Sequence, residues 1–156
     1  MPKTVIPELQ TEVPKPHPVL KCLLGAYDYS IIGEAGGLTR FGIHIEVLRP
    51  GSKSSLRHWH ETEDEMIYML SGEVVLIEET ETRLCKGDAA CWPAGAATAH
   101  CLENCSDADA SYLTIGNRNR LDTIRYPDHN LITHKDGAAR RYSQSDGSPY
   151  PERTSK

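Results

Sequence analysis

The sequence predicts an all-β domain, a sandwich or barrel, on three observations. From Phe41 the apolar residues recur every second position. Phe41, Ile43, Ile45 and Val47 then share one face of an extended strand, and Gly42, His44, Glu46 and Leu48 share the other. Short apolar runs alternate with the turn dipeptides Pro50-Gly51, Ser71-Gly72 and Gly87-Asp88. Between residues 38 and 117 no stretch has convincing helical spacing.

The elements follow in order. Residues 1–20 hold Pro2, Pro7, Pro14, Pro16 and Pro18, a density that forbids a stable helix and most strand pairing. The segment reads as an extended arm, and its apolar residues, among them Val5, Ile6 and Leu9, suggest that it is draped on something. Residues 27–32 read as a first strand, and Gly33 to Gly37 as a turn. Further short strands are predicted over 41–48, 57–60, 65–70, 73–79, 82–86, 89–92, 99–103 and 110–115. Beyond Asn117 the chain turns polar, with short strands expected over 130–134 and 139–142 and an extended end. The organisation is therefore an arm with the first strand (1–37), a barrel (38–117) and a C-terminal extension (118–156) packing on the barrel or on a partner subunit.

Composition narrows the function. A chain of 156 residues, 38% hydrophobic and 25% charged, is long enough to bury a real core. Its net charge of -5 argues against a nucleic-acid surface. The charge is uneven: residues 117–156 carry eight Lys/Arg against five Asp/Glu, so a basic tail can fold back over an acidic body. No apolar run approaches the roughly 20 residues of a membrane helix. The N-terminus lacks the basic-then-apolar pattern of a secretory signal, so the expected location is the cytoplasm. The five cysteines, Cys22, Cys85, Cys91, Cys101 and Cys105, form no Cys-x-x-Cys pair and read as reduced thiols, mostly small buried side chains.

The chemistry concentrates between Gly51 and Gly72. On a strand His58 and His60 point the same way and Trp59 and Arg57 the other. Glu65 opens the next apolar run and shares a face with Ile67 and Met69, so a strand turning back sets its carboxylate beside the two imidazoles. Glu61, Glu63 and Asp64 read as solvated turn residues. A further histidine, His100, follows the rigid corner at Pro93-Ala94-Gly95. Three nitrogens and one carboxylate suit a divalent first-row metal and leave positions open for water or substrate. His44 reads as a barrel-edge histidine more readily than a pocket residue. Tyr68 and Trp59 read as packing or dimer contacts, and Glu78, Glu79 and Glu81 as a solvated hairpin end.

These spacings resemble a known family. Gly51-x6-His58-x-His60-x4-Glu65-x6-Gly72 resembles the first motif of the cupins, and Gly87-x5-Pro93-x-Gly95-x4-His100-x3-Asn104 the second. One extra residue before His58 and two before His100 fall in loops, where insertions are tolerated. The resemblance implies a double-stranded β-helix (the cupin jelly-roll barrel), a central metal held by His58, His60, Glu65 and His100, and a homodimer. It implies zinc, iron, manganese or nickel without choosing among them. The expected function is a metal-dependent enzyme of the dioxygenase, isomerase or lyase class acting on a small molecule such as a sugar or carboxylic acid. The alternative is a non-catalytic barrel that binds a small ligand for regulation. A storage role fits less well, since inward polar side chains are costly to bury without a metal.

Overall fold

The computed structural model describes residues 3–12, 17–20 and 24–151. Pro14, Pro16 and Cys22 lie outside the described residues. The strands are β1 (Gln10–Glu12), β2 (Tyr27–Ile31), β3 (Phe41–Leu48), β4 (Trp59–His60), β5 (Glu65–Ser71), β6 (Glu73–Ile77), β7 (Glu81–Cys85), β8 (Ala89–Trp92), β9 (Cys101–Glu103), β10 (Ala110–Asn117), β11 (Leu121–Tyr126), β12 (Leu131–Asp136) and β13 (Ala139–Ser143). They form a six-stranded sheet ordered β1-β2-β3-β10-β5-β8, a four-stranded sheet β13-β12-β11-β4 and a three-stranded sheet β7-β6-β9. All pairings are antiparallel. This is an all-β barrel, as the alternation predicts, of the jelly-roll form that the cupin resemblance implies.

The two smaller sheets meet at one rung. His58 and His100 form an isolated antiparallel bridge, His58 N–H to His100 O at 3.1 Å and His100 N–H to His58 O at 2.9 Å. Residues paired this way hold their Cβ atoms about 5 Å apart. Two histidines separated by forty-two positions are thereby placed side by side.

Register on the large sheet fixes which side chains enter the barrel. Tyr112 lies opposite Glu46 and Met69, and Thr114 opposite His44 and Ile67. The inward set is Leu48, Ile67, Met69 and Tyr112, packed with Val74, Leu76, Trp92 and Leu102 from the opposing strands. Each such side chain contributes on the order of 2 kcal/mol by leaving water. Two glycines are obligatory. Gly72 has φ +69, and a Cβ there would stand 2.7 Å from Asp109 O. Gly95, at φ +76, donates its N–H to His60 O at 2.9 Å and so pins the Pro93 corner against β4.

Several expectations are corrected. The turn at Gly33–Gly37 begins as a one-turn helix, Ile32–Ala35, with Gly36 N–H bonded to Ile32 O. The arm pairs despite its prolines, because residues 10–12 contain none and bond to β2. The polar extension holds an unforeseen strand, β11, which pairs with β4 as well as β12. Its expected loose end is docked as far as Tyr150, whose hydroxyl donates to His129 O at 3.2 Å. Cys91 and Cys105 are exposed rather than buried, while Cys101 is buried. Glu78 is not simply solvated, since it accepts the Trp92 indole N–H at 2.7 Å.

Candidate metal centre

Three elements bring the predicted residues together. His58 precedes β4, Glu65 opens β5, and His100 precedes β9. Ligand-type atoms of His58, Glu65 and His100 lie within 4.8 Å of one another. His60 lies beside them with its ring centroid 5.0 Å from that of His58, but its Nδ1 belongs to a second group with Glu63 and Asp122.

The hydrogen bonds settle which nitrogen of each ring is free. A carbonyl or ionised carboxylate can only accept, so the ring nitrogen facing it carries the proton. His58 Nδ1 donates to Leu56 O at 2.8 Å, with Ser55 Oγ at 3.3 Å, and His100 Nδ1 donates to Thr98 O at 3.0 Å. His60 Nδ1 faces Asp122 Oδ2 at 2.6 Å. Each ring thus commits Nδ1 to a protein acceptor, leaving Nε2 as the nitrogen that could face an ion. Metal-binding histidines have the same habit. His100 Nε2 stands 3.1 Å from Glu65 Oε2, so both of its nitrogens face acceptors. That arrangement is satisfied by an imidazolium or by a cation between nitrogen and carboxylate. Two donors about 2.1 Å from one ion, at right angles, lie about 3.0 Å apart, which this pair matches. The donor set therefore fits a divalent ion.

The charge states of His58 and Glu65 agree with that fit, and that of His60 is the exception. Burial pulls His58 down to about 4, against weaker opposition from Glu65, so the ring is neutral at pH 7 with a lone pair to give. Glu65 loses by burial but gains more from the His100 hydrogen bond and the surrounding imidazoles, and its pKa is lowered. His60 is raised: burial opposes its charge, but the Asp122 bond and the fields of Glu65, Asp122 and Glu63 outweigh it. Aromatic rings brace two of the imidazoles. Trp92 stacks on His100 at 3.7 Å and 9°, and Tyr126 on His58 at 5.6 Å and 28°.

A cavity of about 110 Å³ opens at this cluster, lined by Glu46, His58, Glu65, Trp92, His100 and Tyr112 among others. A second, about 220 Å³, reaches Glu65 from another side and is lined by His44, His60, Arg118 and Lys135. A larger cleft of about 420 Å³ touches Asp122 but none of the four predicted ligands. His44 therefore faces a pocket, and its Nε2 is buried without a hydrogen-bond partner among the described residues. Glu63 is also unlike its expectation: its side chain is 14% exposed and accepts from Lys135 Nζ at 2.6 Å and Asn119 N–H at 2.8 Å.

Two residues that the sequence does not single out as functional share the smaller cavity. The Tyr112 hydroxyl donates to Glu46 Oε2 at 2.8 Å. Burial raises the Glu46 pKa, and nearby Glu65 adds to the rise, against hydrogen bonds from Tyr112 and Thr114. Burial also holds the Tyr112 hydroxyl well above its ordinary value, so it stays a donor. The parity of Glu46 with His44 on β3 was the signal available for it.

The Cupin domain family matches residues 44–116. A crystal structure of a sugar phosphate isomerase from a cupin superfamily, from Silicibacter pomeroyi, is 32% identical over 92% of this chain and 92% of that one, with a TM-score of 0.84. A provisionally named sugar phosphate isomerase from Acidithiobacillus ferrooxidans is 28% identical over 78% of each chain, with a TM-score of 0.75. A predicted oxalate decarboxylase from Thermotoga maritima is 26% identical over 61% of this chain and 83% of that one, with a TM-score of 0.53. No curated protein sequence matches. Among the described residues no helix is long and apolar enough to cross a membrane.

Proposed function

This chain belongs to the cupin superfamily, and from that premise we propose that it is a divalent-metal isomerase acting on a small α-hydroxy carbonyl compound of the sugar type. His58, His60, Glu65 and His100 would hold the ion, each histidine through Nε2. A bound divalent ion supplies Lewis acidity towards the substrate oxygens. The likeness to two proteins named as sugar phosphate isomerases favours this reading over the dioxygenase and lyase alternatives. One observation carries it: a carboxyl group suited to holding a proton, Glu46, lines the same cavity as His58, Glu65 and His100.

The reaction is a proton relocation. The Glu46 carboxylate takes the proton from the hydroxyl-bearing carbon; the C–H electron pair becomes the carbon–carbon double bond of an enediol as the carbonyl π pair moves onto its oxygen. Glu46 then returns the proton to the neighbouring carbon, while a hydroxyl proton passes between the two substrate oxygens, so nothing is gained or lost. A carboxyl pKa raised by burial above its ordinary value suits both directions. Tyr112 keeps its hydroxyl proton and fixes the Glu46 carboxyl through Oε2. Trp92 and Tyr126 hold the His100 and His58 rings against rotation.

The test has two parts. Metal content is measured on protein purified without added metal, with one ion per chain expected. Loaded protein is then incubated in deuterated water with aldose and ketose phosphates, and deuterium is sought at the carbon beside the carbonyl. Exchange supports the isomerase. Stabilisation by a sugar phosphate without exchange supports instead the non-catalytic binding barrel, and O₂ uptake would move the protein to the dioxygenase class.

A further inference from the structure

We propose that Asp122, from the C-terminal extension, is a positioning residue of the metal centre that holds His60 by Nδ1 so that Nε2 is the nitrogen left for the ion. This rests on the metal-binding reading above. His58 and His100 are oriented locally, each by the carbonyl two residues before it. Among the described residues His60 has no such carbonyl partner and depends on a side chain sixty-two positions further on, at 2.6 Å. The Asp122 side chain is 0% exposed, and its other oxygen is itself anchored, accepting from Thr62 N–H at 3.0 Å, with the Thr62 hydroxyl, whose one proton it shares with Leu121 O, at 2.9 Å. The carboxylate is therefore a fixed acceptor. Outer carboxylates of this kind set ring orientation and tautomer in metal sites.

His60, Glu63 and Asp122 could instead be read as a second cation site, since their ligand-type atoms also lie within 4.8 Å of one another. The partners already present argue against it. Glu63 Oε1 takes the Lys135 ammonium and the Asn119 N–H, and its Oε2 is 3.7 Å from His60 Nδ1. Both oxygens of Asp122 are in use. A cation there would face a resident ammonium and would have to break contacts to a buried carboxylate. The cluster is a brace, with β11 supplying Asp122 and β12 supplying Lys135. On this view the segment beyond the barrel completes the metal centre.

The test uses the full chain, free of metal and then titrated with Co²⁺. Nitrogen NMR in alkaline buffer reports the tautomer, and the His60 proton is expected on Nδ1. In Asp122→Asn, the Thr62 backbone N–H keeps the amide oxygen, so the amide N–H₂ faces the ring. Nδ1 must then accept, the proton moves to Nε2, and Co²⁺ affinity falls about 10- to 100-fold with an altered visible spectrum. Thr62→Val, which keeps the carboxylate but loosens it, gives a smaller loss of affinity and serves if the asparagine variant does not fold. A wild-type His60 protonated on Nε2, or wild-type Co²⁺ affinity in a folded Asp122→Asn or Thr62→Val protein, overturns the proposal. Wild-type protein that binds no Co²⁺ while His60 keeps its proton on Nδ1 overturns the metal reading and leaves the hold of Asp122 on the ring intact.

Discussion

The barrel segment and the C-terminal sheet treat the same group of imidazoles differently. Within the barrel segment, orientation is short-range: Leu56 O serves His58 and Thr98 O serves His100. The C-terminal sheet acts at long range, with Asp122 on His60 and Tyr126 against the His58 ring. The difference teaches that a sequence motif can encode donors and their local tautomers while leaving one donor dependent on a distant strand. It also separates the proposed roles: barrel strands carry Glu65 and Glu46, and the added sheet supplies Asp122 and Tyr126.

The sharpest way to break the comparison is to remove donors on the barrel side. His100→Ala and Glu65→Ala should each abolish stoichiometric metal at near-wild-type folding, read by elemental analysis. If either protein keeps one ion per chain, the barrel is not where the ion is held.

The next effect separates donors from proton chemistry. Glu46→Gln should lower turnover or deuterium exchange by about 10²- to 10⁴-fold, the usual contribution of a general acid–base group. Metal content should not change. A loss of metal together with activity would make Glu46 a support for the donors instead.

Acid should then resolve the two regions in sequence. In metal-free protein His58 has a folded pKa of about 4 against an ordinary 6.5. The unfolded chain binds the proton first, so stability is full above 6.5 and falls as pH drops towards 4, by about 3 kcal/mol. Asp122, at about 2 against an ordinary 3.8, contributes stability above 3.8 that is lost as pH falls towards 2, about 2 kcal/mol more. The raised His60 has the opposite sign: its contribution is present below 6.5 and lost as pH rises through its folded value. Denaturant unfolding across pH should show the His58 loss first and the Asp122 loss second. A flat response between 6.5 and 4 would mean that the His58 ring is not buried neutral.

The smallest effect lies in the extension. Tyr126→Leu should keep most of the packing but lose the stack on His58, about 1 kcal/mol of stability, with a correspondingly weaker Co²⁺ affinity. No change in either would confine the influence of the added sheet on the site to Asp122.

Much of this was legible in the sequence, and the exceptions have physical reasons. The period-two pattern located β3, and the inward placing of Glu65 with Ile67 and Met69 matches the register of β5. The same parity rule put Glu46 beside His44, but alternation alone cannot say that a carboxylate points into a cavity rather than to an edge. Glu63 read as solvated because its neighbours are acidic and polar. Its burial comes from Lys135, seventy-two positions away, which no local pattern reveals. Asp122 sits in a polar stretch, LDTIRY, with weak alternation, and β11 exists because β4 and β12 offer it partners on both sides. Cys91 and Cys105 were misplaced because composition ranks cysteine as buried on average and says nothing about one strand face.

The rung between His58 and His100 has a mechanical consequence. Two otherwise separate sheets are stitched there by the backbones of two residues whose rings would grip one ion. Fraying of that stitch and escape of the cation would be a single event. An ion bound there would act as a rivet across the seam, and local breathing at these two amides would be coupled to occupancy of the centre.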